Sequence, residues 1–330
     1  MRIDLAPIKP FRHDLGHCLH ATAGTLLAFH GIDPVNALGA AWSFRYPGDL
    51  RREEYYLPGH AEDLFAGLAP YHDISSRWHT ADEPAEGWRV VRGMLASGVP
   101  VAVAADNFFL PFRPAYRDVH SNHLLLLYGF DDDAGHVYVV DPVPPSYQGP
   151  IPLETLSLAR GSVNPVRHDR DMFFTANPIA NRWLTVRVGP VQPVMDRAFV
   201  ARAIEANVAG FGLPGLRAFL AAALAKLPDD GTVIDEIFLV AGPLLAVTGL
   251  HAEFLDRAGQ AFGVSALREL GRRVDRIAHH LSALRIAVAS ARHDRAAAVP
   301  GLRRRQRWLL EDCHRVLESM SQMSRLGGQL

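Results

Sequence analysis

The stretch FRHDLGHCLH, residues Phe11–His20, turns from a polar, glycine-containing loop into an apolar-periodic segment. Cys18 stands at this junction, which is expected to be the start of a helix. A helix N-terminus leaves backbone N–H groups unpaired and carries the positive end of the helix dipole, so it favours a thiolate. A cysteine pKa near ~8.5 can fall to roughly 3.5–7.5 in such a setting. The position predicts a cysteine that is a nucleophile at neutral pH.

Apolar spacing predicts the helix that follows Cys18. Residues recur at i, i+4, i+7, i+8 and i+11 in the set Leu19, Ala23, Leu26, Leu27 and His30, and Gly31 is a stop signal. One face of this helix is therefore expected to be buried. A buried structural cysteine is the alternative interpretation of Cys18, because free cysteine is among the most buried residue types.

A nucleophilic cysteine needs a base, and such bases usually lie far away in the sequence. His120 and His123 precede an apolar run, residues 124–130, that is typical of a buried strand. A turn at 131–135 and a second strand at 136–141 predict a hairpin ending at Asp141. Although they are 18 residues apart in the chain, His123 and Asp141 should then be neighbours.

These residues give a nucleophile, a base and an orienting acid in the chain order Cys18, His123, Asp141. His120 is the alternative base. Asp141 could instead be a structural turn residue before Pro142 and not a catalytic acid, since aspartate is common in turns.

The sequence resembles the papain-like superfamily, and more narrowly the family of butirosin biosynthesis protein H. Three features in residues 10–145 carry the resemblance: His17-Cys18 opening a helix that ends Phe29-His30-Gly31, VAVAAD (101–106) followed by LPF (110–112), and His120-x-x-His123 before Tyr128-Gly129-Phe130-Asp131. The resemblance implies a papain-like N-terminal domain and a helical C-terminal domain. It also implies transfer of an acyl group from a carrier-protein thioester to an amine, with Cys18 as nucleophile, His123 as base and Asp141 as acid.

Papain-like enzymes commonly place a glutamine about six residues before the cysteine to help form the oxyanion hole, and this chain has Arg12 there. Arg12, His13 or the backbone N–H of Cys18 are the alternative donors. We place Arg12, His17 and Asp106 in the predicted substrate-binding part of the site. Asp106 follows a buried strand, where it would bind a substrate ammonium at the cleft or cap a turn.

Composition is that of an ordinary globular protein, with 330 residues, 48% hydrophobic and 21% charged. A net charge of −1 gives no field that would recommend nucleic acid as a partner. Two cysteines are too few for a disulfide framework, and the N-terminus lacks the pattern of a signal peptide. No stretch reaches the ~20 uncharged apolar residues of a membrane span. We therefore expect a cytoplasmic protein that does not contact a membrane.

Two regions are expected: an α+β domain over residues 1–190 and an all-α domain over 191–330. The first should contain helices near 18–30 and 86–97 and strands at 99–105, 123–130, 136–141, 171–175 and 183–188. Prolines between 142 and 152 predict an exposed loop that leaves Asp141 at the rim of the sheet. In the second, heptad-like runs at 267–288 and 302–323 predict an antiparallel helix hairpin with Pro300-Gly301 in its loop. Cys313 lies in that seam as a small buried hydrophobe, and the long helices make a homodimer plausible.

A metal site is the main alternative to a nucleophilic cysteine site, because histidine and cysteine are residue types that bind zinc. The residues concerned are His17, Cys18, His20, His120 and His123. However, residues 17, 18 and 20 of one helix point in different directions, because facing pairs need spacings of three or four. The sequence therefore predicts no metal and no bound cofactor. Two arginine clusters, 272–276 and 303–307, would dock an acidic carrier protein or would be solvated helix faces.

The sequence thus predicts a cysteine acyltransferase that forms an amide without ATP in specialised-metabolite biosynthesis. Its donor would be an acyl or peptidyl carrier protein with a phosphopantetheine thioester, and its acceptor a small-molecule amine. A papain-like peptidase or amidase would use the same residues with water as acceptor. A non-catalytic binding or scaffold protein is the third hypothesis.

Overall fold

The structure, a computed structural model, describes residues 1–46, 63–165 and 178–325. Its sheet is antiparallel throughout, with β2-β7-β3-β4-β5-β6 as neighbours and β1 paired to β4. The strands are β1 (Arg2–Asp4), β2 (Ile74–His79), β3 (Val101–Asp106), β4 (Asn122–Asp131), β5 (His136–Asp141), β6 (Tyr147–Pro152) and β7 (Trp183–Val188).

Helices flank this sheet and then make up the rest of the described chain. They are α1 (Cys18–Phe29), α2 (Pro34–Gly39), α3 (Leu64–Leu68), α4 (Pro84–Ala96), α5 (Leu153–Arg160), α6 (Arg197–Gly210), α7 (Leu213–Lys226), α8 (Val233–Phe262), α9 (Ser265–Ser290) and α10 (Arg295–Arg325). The α+β prediction, with a helical C-terminal region, is confirmed. The change from sheet to helices falls between β7 and α6.

The strongly periodic segments are found where the sequence predicts them: α1, α4, β3, β4, β5 and β7. The strand predicted at 171–175 lies outside the described residues. Two predictions about proline are wrong. Residues Tyr147–Pro152 form a strand, which tolerates Pro150 and Pro152 because β6 is at the edge of the sheet. Asp141, paired with Tyr147, is consequently fully buried rather than at the rim.

Pro300 and Gly301 lie within α10, not in the loop between α9 and α10. The helix begins earlier because Asp294 accepts a hydrogen bond from the backbone of Ala297, and because Val299 and Leu302 are buried. Pro300 has no N–H to donate to the Ala296 carbonyl, so it removes one backbone hydrogen bond of the helix without ending it. The connection between the two helices is instead residues 291–294.

The central strands are buried on both faces, and successive residues alternate between two clusters. Leu124 and Leu126 of β4 pack with α1 and the C-terminal helices, whereas Leu125 and Leu127 pack with α4 and α5. The first cluster continues without a break into α6–α10. The two sequence regions therefore share one hydrophobic core.

Hydrogen bonds fix the segment after α2 to the C-terminal helices. Trp42 donates its indole N–H to Thr248 at 3.0 Å, and Asn207 bonds both to the Trp42 backbone and to the Ala40 carbonyl. Gly39 lies so close to α8 that a Cβ there would be 2.5 Å from the Leu250 carbonyl oxygen. These contacts set the position of α8 relative to the N-terminal region.

Helix α8 is the one helix of the described chain that is long and apolar enough to cross a membrane. In its most apolar window 76% is buried inside the protein, as in a core helix. It also supports the segment that leads into Cys18: a Cβ at Gly249 would be 2.7 Å from the His13 ring, and one at Gly242 3.5 Å from the His17 ring. The C-terminal helices thus help to build the surroundings of Cys18.

Two buried histidines predict loss of stability in mild acid. Burial, together with the charges of His17 and His13, lowers the pKa of His20 to about 3, and burial lowers that of His251 to about 4. In the unfolded chain both histidines bind a proton as the pH falls below ~6.5, whereas in the folded protein they stay neutral until a much lower pH. The free energy of unfolding should therefore fall as the pH decreases from ~6.5 toward 4. Each group contributes a slope of up to about 1.4 kcal/mol per pH unit. Urea unfolding between pH 4.5 and 7.5 measures it.

His20→Leu is the variant that isolates one of these groups. Neither ring nitrogen of His20 has a hydrogen-bond partner in the structure, so the replacement removes no bond and removes the group that protonates on unfolding. We expect a flatter dependence of stability on pH below 6.5. An unchanged slope would contradict this assignment.

Candidate active site

Cys18 is the first residue of α1 and is partly exposed, and His17 caps the helix with extended backbone. The His17 Nδ1 accepts the Leu19 N–H at 3.4 Å and lies 3.7 Å from the Cys18 Sγ. Phe11 packs against Gly24, where a Cβ would be 2.1 Å from its ring, and so folds the preceding loop over α1. The thiol is therefore held at a helix N-terminus, as the sequence predicts.

His123 and Asp141 lie on adjacent strands, β4 and β5. The His123 Nε2 is 2.7 Å from the Asp141 Oδ2, which is the proximity that the hairpin predicts. Both side chains are buried, His123 at 3% and Asp141 at 0% exposure. A second oxygen of Asp141, Oδ1, accepts the Val143 N–H at 3.0 Å, which fixes the orientation of the carboxylate.

Packing of α1 on β4 brings Cys18 to His123. Thr22, one turn after Cys18, donates its hydroxyl to the carbonyl of Leu124, the residue after His123, at 3.3 Å. Each of the two groups, the Cys18 thiol and the His123 ring, shifts the pKa of the other, as expected for neighbours. Because Nε2 is bonded to Asp141, Nδ1 is the nitrogen that remains for the sulfur.

The electrostatics of the three groups favour charge separation. Burial raises the pKa of Cys18. The charge of His17 and the interactions with His123 and His17 lower it by more, so the pKa lies well below its usual value. Burial lowers the pKa of His123, whereas Asp141 and Cys18 raise it to about 9. Burial raises the pKa of Asp141, but His123 and Arg113 lower it overall. At neutral pH the arrangement favours thiolate, imidazolium and carboxylate.

Arg113 was not predicted from the sequence. It follows the segment Leu110-Pro111-Phe112 in a turn, and its Nη1 lies 3.2 Å from the Asp141 Oδ2 and 3.0 Å from the Val143 carbonyl. No local pattern marks it, because a turn residue's direction depends on the fold around it.

Asp106 is fully buried, with hydrogen bonds to both carboxylate oxygens. Oδ1 accepts the backbone N–H groups of Phe108 and Ser121, and Oδ2 contacts the His120 Nδ1 at 2.7 Å and the Ser162 hydroxyl at 2.6 Å. This geometry favours the turn-capping interpretation of Asp106 over contact with a substrate ammonium. It also places His120 with Asp106, not with Asp141.

The predicted oxyanion donors have different surroundings. The exposed Arg12 guanidinium donates to the Ser146 hydroxyl, and the His13 Nε2 lies 3.4 Å from a Glu253 oxygen. The backbone N–H of Cys18 has no acceptor in the part of the chain that the structure describes. Of the three alternatives, the Cys18 N–H is the one that has no partner among the described residues.

A cavity of about 520 Å³ borders the loop before Cys18. Residues 12–15 form one side and α8 and α9 the other, and its lining carries carboxylates from Asp14, Glu253, Asp256 and Asp275. Within residues 1–46, 63–165 and 178–325, no group of three or more His, Cys, Asp or Glu side chains is placed to hold a metal ion. The cavity lies beside the loop that leads into Cys18, and its lining does not include Cys18 or His123.

We expect Cys18 to react with iodoacetamide much faster than Cys313 at neutral pH. Cys313 is fully buried, and burial with the nearby Asp312 raises its pKa to about 12. The thiolate is the reactive form, so the two cysteines should differ by about 10³-fold or more in rate. Peptide mapping after timed alkylation of the folded protein measures both sites. Equal rates would point to a non-catalytic protein.

Comparison with protein families gives a match in the N-terminal region. Residues 17–142 match the family described as butirosin biosynthesis protein H, N-terminal, and no curated protein matches the chain. The matched segment begins at His17 and ends just after Asp141, so it includes Cys18, His123 and Asp141. Through residues 17–142 the chain is therefore similar to the butirosin biosynthesis protein H N-terminal family.

Proposed function

We propose that this protein is a cysteine-dependent acyltransferase that moves an acyl group from a thioester to an amine. The observation that carries the proposal is the convergence of Cys18, His123 and Asp141, with a thiol pKa held low at the start of α1. The family is named for butirosin biosynthesis, which supports a biosynthetic, acyltransferase-type role. We place the reaction in the cytoplasm.

In the first step the Cys18 thiolate attacks the thioester carbonyl. The donor thiol leaves as its thiolate and takes the proton from His123, so that an acyl-enzyme and a neutral imidazole remain. The backbone N–H of Cys18 stabilises the oxyanion. Asp141 holds the ring through Nε2, so that Nδ1 faces the sulfur.

In the second step an amine attacks the acyl-enzyme. Its proton passes to His123, and Cys18 leaves as the thiolate, which restores the starting charges. A thioester is already an activated acyl group, so amide formation runs downhill and needs no nucleotide. The neighbouring cavity, lined by carboxylates and by Arg12 and Arg272, is the place that we propose for the amine.

The decisive experiment incubates the protein with an acyl pantetheine thioester and follows its mass, with and without amines. We expect an acyl adduct on Cys18, and an amide product only when an amine is present. Free acid alone, whatever amine is added, would favour the peptidase or amidase alternative. Absence of an adduct would contradict covalent catalysis.

We propose a carrier protein as the natural donor, docking on the basic face of α10. The arginines of the first cluster form ion pairs within the protein: Arg272 and Arg273 share Glu269, and Arg276 pairs with Asp312. Those of the second cluster, Arg303, Arg304, Arg305 and Arg307, form no ion pair with the described residues. An acidic carrier surface complements this second face.

Charge reversal at the second cluster should weaken use of a carrier-bound donor. We expect Arg303→Glu with Arg307→Glu to raise KM for an acylated carrier about tenfold, and to leave the reaction with a free pantetheine thioester unchanged. Arg272→Glu with Arg273→Glu is the matched control. Equal effects on both donors, or from both pairs, would place the docking surface elsewhere.

A further inference from the structure

Arg113 is a largely buried cation that contacts the acid of the proposed triad. Its side chain is 11% exposed, and one nitrogen, Nη1, reaches both the Asp141 Oδ2 and the Val143 carbonyl. Its Nε is buried and has no hydrogen-bond partner among the residues that the structure describes. The guanidinium therefore binds the Asp141 carboxylate and the turn that follows it through Nη1, while its Nε forms no hydrogen bond with the described residues.

Asp141 consequently shares one oxygen between two donors. Oδ2 lies 2.7 Å from the His123 Nε2 and 3.2 Å from the Arg113 Nη1, and Oδ1 accepts the Val143 backbone. The carboxylate is fully buried, so water does not compensate its charge. Arg113 and His123 are the charged groups that face it.

Arg113 adds a permanent positive charge to a site that holds two negative groups. In the reactive state the thiolate and Asp141 are negative and the His123 imidazolium is positive, so these three groups carry a net charge of −1. An uncompensated buried charge is costly, and the usual relief is to neutralise an ionised group. His17 lies beside the sulfur, and His20 is held neutral by burial. Arg113 supplies the permanent positive charge on the Asp141 side.

We propose that Arg113 is a positioning residue that keeps Asp141 ionised and oriented, and thereby sets the pH range over which Cys18 and His123 exist as thiolate and imidazolium. The inference rests on the proposed function, since the ion pair is its reactive state. Removal of a nearby positive charge disfavours the thiolate and favours the imidazolium. Both pH limits of the ion pair should therefore move upward.

The test compares Arg113→Gln with Arg113→Lys. Glutamine loses the charge but keeps an N–H for the Val143 carbonyl, whereas lysine keeps the charge. The rate of Cys18 alkylation by iodoacetamide is measured against pH. For Arg113→Gln we expect the lower inflection to rise by about one pH unit, which is about a tenfold lower rate below it. For Arg113→Lys we expect at least half of that shift to be recovered.

Two outcomes overturn the proposal. An unchanged lower inflection in a folded Arg113→Gln protein would mean that Arg113 only anchors the turn at Val143. An equal shift in both variants would mean that geometry, not charge, is responsible. Circular dichroism and thermal unfolding establish that each variant is folded, and Arg113→Met is the reserve if glutamine is not tolerated.

Alkylation needs no acyl donor, which separates this inference from the proposed function. If acyl transfer fails while the alkylation profile shifts as expected, the proposed function is wrong and the role of Arg113 in the ion pair stands as a property of the site. If acyl transfer is found and the profile does not shift, only the role of Arg113 is wrong.

Discussion

Replacement of Cys18 by serine is expected to abolish acyl transfer, with kcat/KM lower by at least about 10³-fold. A serine hydroxyl in the same place is not ionised by His17 and His123 at neutral pH, and no thiolate attacks the thioester. The variant should also lose the acyl adduct in the intact-protein mass spectrum. Its fold should be unchanged, because Cys18 is partly exposed and its replacement differs by one atom.

Cys313→Ser is the matched control for this variant. Cys313 is fully buried in the seam of α10, so a hydroxyl there should reduce the free energy of unfolding but leave turnover per folded molecule and the acyl adduct intact. Retained activity in Cys18→Ser would exclude this thiol as the nucleophile. Loss of activity in both variants would indicate a shared effect on folding.

Local periodicity and turn chemistry were sufficient to predict the elements that build the candidate site. The helix after Cys18 and the hairpin that brings His123 to Asp141 both follow from short-range patterns. These elements are long and strongly periodic, and their registers are set by the alternation of buried residues.

Contacts between residues far apart in the chain determine the roles of Asp106 and Arg12, which the sequence alone does not decide. Asp106 sits at the end of a buried strand, where a substrate contact and a turn cap have the same local pattern. Only the fold brings His120 and Ser162 onto its carboxylate. Arg12 likewise contacts Ser146, which lies 134 residues away in the chain. Such partners are invisible to any window of sequence.

The two predictions based on proline, an exposed loop between residues 142 and 152 and Pro300 in an interhelical loop, are wrong for a related reason. Pro150 and Pro152 are strand breakers in a central position but are compatible with an edge strand, and Pro300 is compatible with the first turns of a helix. The position of an element within its sheet or bundle is a tertiary property. The role of Arg113 likewise depends on tertiary packing, because the fold decides which carboxylate lies beside the turn after Phe112.

His123→Ala is expected to lower kcat/KM by about 10²–10⁴-fold, the range found for loss of a general acid–base. The imidazole protonates the leaving thiol in the first step and accepts the amine proton in the second, so both steps should slow. Its loss also removes one of the interactions that lower the pKa of Cys18. The lower inflection of Cys18 alkylation should therefore move to higher pH, in the same direction as for Arg113→Gln but further.

His120→Gln is the control that separates the two histidines of the motif. His120 stacks on Phe108 at 4.1 Å and bonds to Asp106, so its loss should lower stability by about 1–3 kcal/mol. It should leave the alkylation profile of Cys18 unchanged, because the His120 ring is bound to Asp106 and not to Asp141. If His120→Gln abolished turnover and His123→Ala retained it, the base would be His120. The Asp141 pairing would then be structural, since a base must reach the proton that it moves.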